Sequence, residues 1–89
     1  MTAPNVVLYV TGWCPYFTRA KALLDRKGVD YTAIDVESQP GLREAMTTRA
    51  GGRRTVPQIF IGDHHVGGCD DLHALEAAGS LDSLLGRTG

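Results

Sequence analysis

The stretch "VVLYVTGWCPYFTRAKALLDRKGVDYTAIDV", residues 6–36, decides the fold. Val6 to Val10 is a continuous β-branched and apolar run, the pattern of a strand buried on both faces. Thr11, Gly12 and Trp13 break it. From Pro15 the period becomes helical, with Ala20, Leu23 and Leu24 on one side and Arg19, Asp25, Arg26 and Lys27 on the other. Pro15 suits the first helical turn, where its missing N–H costs nothing, and Gly28 suits the position just past the helix end. Asp30 to Val36 then alternates polar and apolar residues and reads as the next strand. A strand, a helix and a strand in this order predict a right-handed βαβ unit with parallel strands.

The rest of the chain adds to this unit. Ser38 is a candidate cap for a second helix running to about Ala50, with Gln39 to Gly41 at its start. "AGGRR", residues 50–54, ends it. Gln58 to Gly62 reads as a short strand, Gly62 to His65 as a turn, and Val66 as part of a fourth strand. Asp70 or Asp71 is expected to cap a third helix ending at Gly79. Ser80 begins a last short helix with Leu81, Leu84 and Leu85. The expectation is an α/β fold, a four-stranded mixed sheet flanked by helices on both faces.

With 89 residues the chain is expected to form one domain, 1–89. The net charge of −1 gives no bulk attraction to nucleic acid or membrane. "MTAPNVVLYV" has no basic segment followed by a long apolar stretch and a cleavage site, so no signal peptide is read and a cytoplasmic location is expected. No apolar run reaches the length of a membrane span. The two cysteines, Cys14 and Cys69, are expected as free thiols in a reducing compartment.

Three short motifs carry chemistry. Cys14 lies between a strand end and a helix start, where backbone N–H groups and the helix dipole stabilise a thiolate. Only the thiolate attacks a disulfide. The bland alternative is a buried structural cysteine. "RTVPQIF", residues 54–60, contains an X–Pro bond open to the cis form. A cis proline there exposes the backbone of Val56 to an extended peptide, whereas a trans proline merely opens an edge strand. "GGCDD", residues 67–71, has glycines that allow close approach and N–H groups at Cys69 and Asp70 that suit a carboxylate. Asp70 suits an ammonium group, and its bland reading is a plain helix cap. Cys69, Asp70, Asp71 and His73 match no familiar metal-ligand spacing. Arg49, Arg53 and Arg54 read as a solvated loop with one arginine available to a carboxylate. His64 and His65 read as solvated turn residues.

Cys14-Pro15-Tyr16, Thr55-Val56-Pro57 and Gly67-Gly68-Cys69-Asp70-Asp71, in this order, make the chain resemble the glutaredoxin family, in its small bacterial glutaredoxin 3 type. The resemblance implies a thioredoxin fold and glutathione as reducing co-substrate, with no tightly bound cofactor and no metal. It implies Cys14 as nucleophile and Tyr16 in the glutathione groove. Thr55 and Val56 ahead of cis-Pro57 would meet the cysteinyl part of glutathione. Gly68, Cys69 and Asp70 would hold its γ-glutamyl end, and Arg43 lies near the place of a side chain for the glycyl carboxylate. The implied partners are glutathionylated proteins and small mixed disulfides.

Two departures stand out. Thr11 occupies a position that is often lysine in the family, three residues before the nucleophile. Phe17 stands where most dithiol members have the resolving cysteine. The expected function is therefore reduction of glutathione mixed disulfides by a monothiol route. The alternatives are an iron–sulfur cluster carrier, against which Pro15 counts, and a redox-impaired form of a dithiol enzyme.

Overall fold

A computed structural model describes residues 5–12 and 14–86, so Trp13 lies outside the described residues. The elements follow the expected order: β1 (Val6–Val10), α1 (Pro15–Arg26), β2 (Thr32–Asp35), α2 (Leu42–Arg49), β3 (Gln58–Ile61), β4 (His64–Gly67), α3 (Cys69–Ala77) and α4 (Leu81–Leu84). The four strands form one sheet in the order β2-β1-β3-β4. β1 runs parallel to β2, and β3 is antiparallel to both β1 and β4. This is the mixed sheet expected of the α/β fold.

Strand alternation divides the interior in two. Val6, Leu8 and Val10 of β1, with Ile59 and Ile61 of β3, pack with Ala20, Leu23 and Leu24 of α1, Leu72 of α3, and Leu81 and Leu85. Tyr9 and Phe60 face the other way and pack with Val36, Met46 and Ala50, the side covered by α2. Helices thus cover both faces. Leu8, Leu24 and Leu72 are fully buried, so truncating one to alanine is expected to cost about 2–5 kcal/mol. Lys27, at the end of α1, pins the helical layer together through Glu76 of α3 and Asp82 of α4, each at 2.9 Å.

Several boundaries differ from the sequence reading, each for a local reason. Ser38 does not cap α2. Its hydroxyl donates to the Asp35 carbonyl at 2.7 Å, in a turn where the Asp35 carboxylate accepts the Glu37 N–H at 2.8 Å. The helix begins after Gly41, whose φ of +88° places it in the left-handed region that glycine tolerates. β2 is shorter than residues 30–36, as its register with β1 covers Thr32 to Asp35. The β3–β4 turn is tighter than expected. Ile61 pairs with His64, so both histidines belong to β4. The N-cap of α3 is Gly68 rather than an aspartate.

Candidate active site

Cys14 is the N-cap of α1, with extended backbone at φ −148° and ψ 118°. Its carbonyl accepts the Thr18 N–H at 3.2 Å, the first bond of the helix. Its side chain is partly exposed at the end of α1 where unsatisfied N–H groups and the positive end of the dipole lie. Phe17, three residues on, is half-buried and packs against the α1–α3 core cluster.

The second wall is the turn before β3. The Val56–Pro57 bond is cis. The Val56 side chain anchors to the α2-side core, and among the described residues no hydrogen bond engages its backbone. The third wall is the start of α3. Gly68, the N-cap, has its N–H satisfied by Asp71 Oδ2 at 2.8 Å, and its carbonyl accepts the Leu72 N–H at 3.1 Å. Asp71 Oδ2 also meets Arg53 Nη1 at 3.4 Å. Gly67 has φ +115°, and a Cβ there would collide with the Asp71 carboxylate and Arg53. The left-handed backbone favours glycine here, and any side chain would also have to push this half-exposed ion pair aside.

These walls enclose an open cavity of about 240 Å³. Tyr16, Thr55 and Pro57 line one part of it, and Gly68, Cys69 and Asp70 another, with Arg53 and Asp71 completing the lining. Tyr16 is 52% exposed, an aromatic surface beside Cys14 at the start of α1 rather than a core residue. The polar rim of the cavity combines the Asp70 and Asp71 carboxylates, the Arg53 guanidinium and the start of α3, a set suited to a small zwitterion.

The second cysteine has a different environment. Cys69 is 3% exposed at the start of α3. Burial pushes its thiol up from the ordinary range; Arg19 opposes this, and Asp70 and Cys14 add to it. Its sulfur lies 3.4 Å from His73 Nδ1, a nitrogen that also sits 2.9 Å from the Cys69 carbonyl. Cys69 is thus held as a buried neutral thiol, a poor nucleophile.

Of the residues expected at the site, Tyr16, Thr55, Pro57, Gly68, Cys69 and Asp70 line the cavity together. Cys14 precedes Tyr16 at the helix start, and Val56 lies between Thr55 and Pro57. Arg43 is elsewhere: its Nη1 donates to the Arg54 carbonyl at 2.9 Å, and the guanidinium in the cavity is that of Arg53. Asp71 was legible only as a cap candidate. His65 is not a solvated turn residue. It is half-buried, stacked on Phe60 with ring centroids 4.8 Å apart, and its Nε2 lies 2.7 Å from Gln58 Oε1. The signal available was its pairing with Phe60 across a hairpin, whose second strand the sequence reading began two residues too late, at Val66 instead of His64.

The glutaredoxin family model matches residues 6–66. The chain is 61% identical over 82 residues to a glutaredoxin of Pseudomonas aeruginosa, covering 92% of this chain and 96% of that protein. It is 53% identical over 81 residues to glutaredoxin 3 of Escherichia coli, covering 91% and 96%. Among solved structures, the solution structure of a glutaredoxin from Brucella melitensis superposes with a TM-score of 0.81 at 53% identity, covering 100% of this chain and 98% of that one. A buckwheat glutaredoxin–glutathione complex superposes with a TM-score of 0.83 at 32% identity, covering 94% and 77%. With a family model matching residues 6–66, the same fold in the solved relatives and similarity of this degree over nearly its whole length, the chain belongs to the glutaredoxin family and is a thiol–disulfide oxidoreductase of the thioredoxin fold.

Proposed function

We propose that this protein reduces glutathione mixed disulfides by a monothiol mechanism, with Cys14 as the only catalytic thiol. The observation that carries this reading is the packing of Phe17. The position three residues past Cys14 holds a phenyl ring set against the core, and the other cysteine is buried and held as a thiol. The Cys14 thiolate attacks the glutathione sulfur of R–S–SG. The Cys14 S–SG bond forms as the RS–SG bond breaks, and RS⁻ leaves. Glutathione thiolate then attacks the Cys14 sulfur-bound glutathione, forming oxidised glutathione and returning Cys14 thiolate. The proton given up by that glutathione neutralises RS⁻. The net change is R–S–SG plus GSH to RSH plus GSSG.

The cavity supports glutathione as the co-substrate. Its lining by Tyr16, Thr55, Pro57, Gly68, Cys69 and Asp70 offers an aromatic wall and the start of α3. The unpaired Val56 backbone suits antiparallel pairing with the cysteinyl residue. Asp70 and the first N–H groups of α3 suit the γ-glutamyl ammonium and carboxylate. Arg53 lines the cavity on the α3 side, against Asp71, so its charge lies by the γ-glutamyl end, and Arg43, bonded to the Arg54 carbonyl beside Thr55, stays the candidate for the glycyl carboxylate. A glutaredoxin of this fold has been solved with glutathione bound. The protein substrates are glutathionylated proteins, the domain is residues 1–89, and the setting is the cytoplasm. Among the described residues no helix is long and apolar enough to cross a membrane. The test is steady-state reduction of a glutathionylated small thiol by glutathione: turnover that disappears in Cys14→Ser is the expected result, and absence of turnover in the unmodified protein rejects it.

A further inference from the structure

Gln58 is the one polar side chain in the buried core of the described residues, with no exposed surface. A buried amide is tolerated only when its donors and acceptor are all engaged. Those of Gln58 are. Its Nε2 donates to the Thr55 carbonyl at 2.9 Å and to Thr55 Oγ1 at 3.0 Å. Its Oε1 faces His65 Nε2 at 2.7 Å. The Thr55 carbonyl only accepts, so the amide nitrogen must point toward it and the amide oxygen toward His65. The imidazole must therefore carry its proton on Nε2. The ring itself is held by stacking on Phe60, the residue with which His65 pairs across β3 and β4.

We propose that His65, acting through Gln58, is a positioning residue for the turn that receives the substrate: the unbroken chain from His65 Nε2–H to Gln58 to Thr55 sets the backbone of Thr55, Val56 and Pro57. This rests on the reading above that the substrate's peptide backbone pairs at Val56. Thr55 is the first residue of that turn, and Gln58 is its anchor in the sheet. The chain ties the carbonyl and hydroxyl of Thr55 to β4 on the far side of β3. Burial favours the neutral imidazole in the folded protein, with Arg53, His64 and Arg49 acting the same way and Asp71 opposing.

His65→Phe keeps an aromatic ring over Phe60 and removes only the donor. In reduction of a glutathionylated small thiol by glutathione, KM for the mixed disulfide should rise roughly fivefold, with kcat within about twofold. Gln58→Leu combined with His65→Phe should be no worse than Gln58→Leu alone, because the two act as one chain. In the unmodified protein, two-dimensional ¹H–¹⁵N NMR of the imidazole should show His65 protonated on Nε2. An unchanged KM in His65→Phe, additive losses in the double variant, or a proton on Nδ1 alone overturns the proposal. The NMR result needs no turnover and no variant that must fold. If the unmodified protein fails to turn over the mixed disulfide while the Nε2 proton is present, the functional reading falls and the positioning role falls with it.

Discussion

The Asp71 carboxylate reaches back three residues to accept the backbone N–H of Gly68 at 2.8 Å. Glycine at the N-cap has no side chain to accept the first N–H groups of α3, and this bond is the reciprocal half of a capping box, fixing the N-cap backbone without engaging those N–H groups. The same oxygen meets Arg53 at 3.4 Å, so one carboxylate orders both the α3 start and the loop opposite it. Asp71→Ala should destabilise the protein by about 1 kcal/mol, read by chemical denaturation. Asp71→Asn keeps an acceptor and should lose less. The ion pair with Arg53 is half-exposed and adds little of this total, so Arg53→Ala should leave stability nearly unchanged.

Asp70 faces the cavity at the turn of helix that Asp71 caps. If it meets the γ-glutamyl ammonium of glutathione, Asp70→Ala should raise KM for glutathione about tenfold while the unfolding midpoint stays put. An unchanged KM removes Asp70 from the site.

The two thiols should separate by reactivity. Cys14 is partly exposed at the α1 start, whereas Cys69 is buried and its thiol is pushed up by that burial. Iodoacetamide at neutral pH should label Cys14 at least about tenfold faster than Cys69, with Cys69 labelled fully only after unfolding. Cys69→Ser should retain most turnover and Cys14→Ser none. Equal losses from the two substitutions contradict the single-nucleophile assignment.

His65 predicts a pH dependence of stability. Burial, with Arg53, His64 and Arg49, lowers its folded-state value below the unfolded one, and Asp71 acts against them. Below the ordinary histidine value of about 6.5 the unfolded chain therefore binds a proton that the folded chain resists. This contribution to stability is fully present above that pH and is lost as pH falls through the folded value. Denaturation midpoints measured from pH 7.5 down to pH 5 should fall less steeply in His65→Phe than in the unmodified protein.

How much of this was legible in the sequence depends on the range of the interaction. The β1–α1–β2 unit is written in local periods, and Val6, Leu8, Tyr9 and Val10 of β1 with Ala20, Leu23 and Leu24 of α1 are core. The three motifs that line the cavity were visible because each sits at an element boundary marked by cysteine, proline or glycine. What was not visible depends on register or on distant partners. Ser38 carries the chemistry of a cap and of a turn alike, and the Asp35 carbonyl decided between them. That Arg53 lines the cavity and Arg43 does not is set by the loop between α2 and β3, whose path no local pattern specifies. His65 reads as solvated until the pairing of Phe60 with His65 brings it onto the sheet face and Gln58 beneath it.

The central claim is that Phe17 confines the enzyme to a single thiol. Phe17→Cys should restore a ring-closing partner one helical turn from Cys14, giving a variant that expels a bound glutathione and reduces protein disulfides. The most direct measurement is intact mass and peptide mapping of the unmodified protein after treatment with oxidised glutathione. A single-thiol enzyme gives one stable glutathione adduct, on Cys14, with Cys69 still a free thiol. A product lacking glutathione and carrying a Cys14–Cys69 disulfide would contradict it, because Cys69 would then be the resolving thiol that Phe17 was taken to have removed.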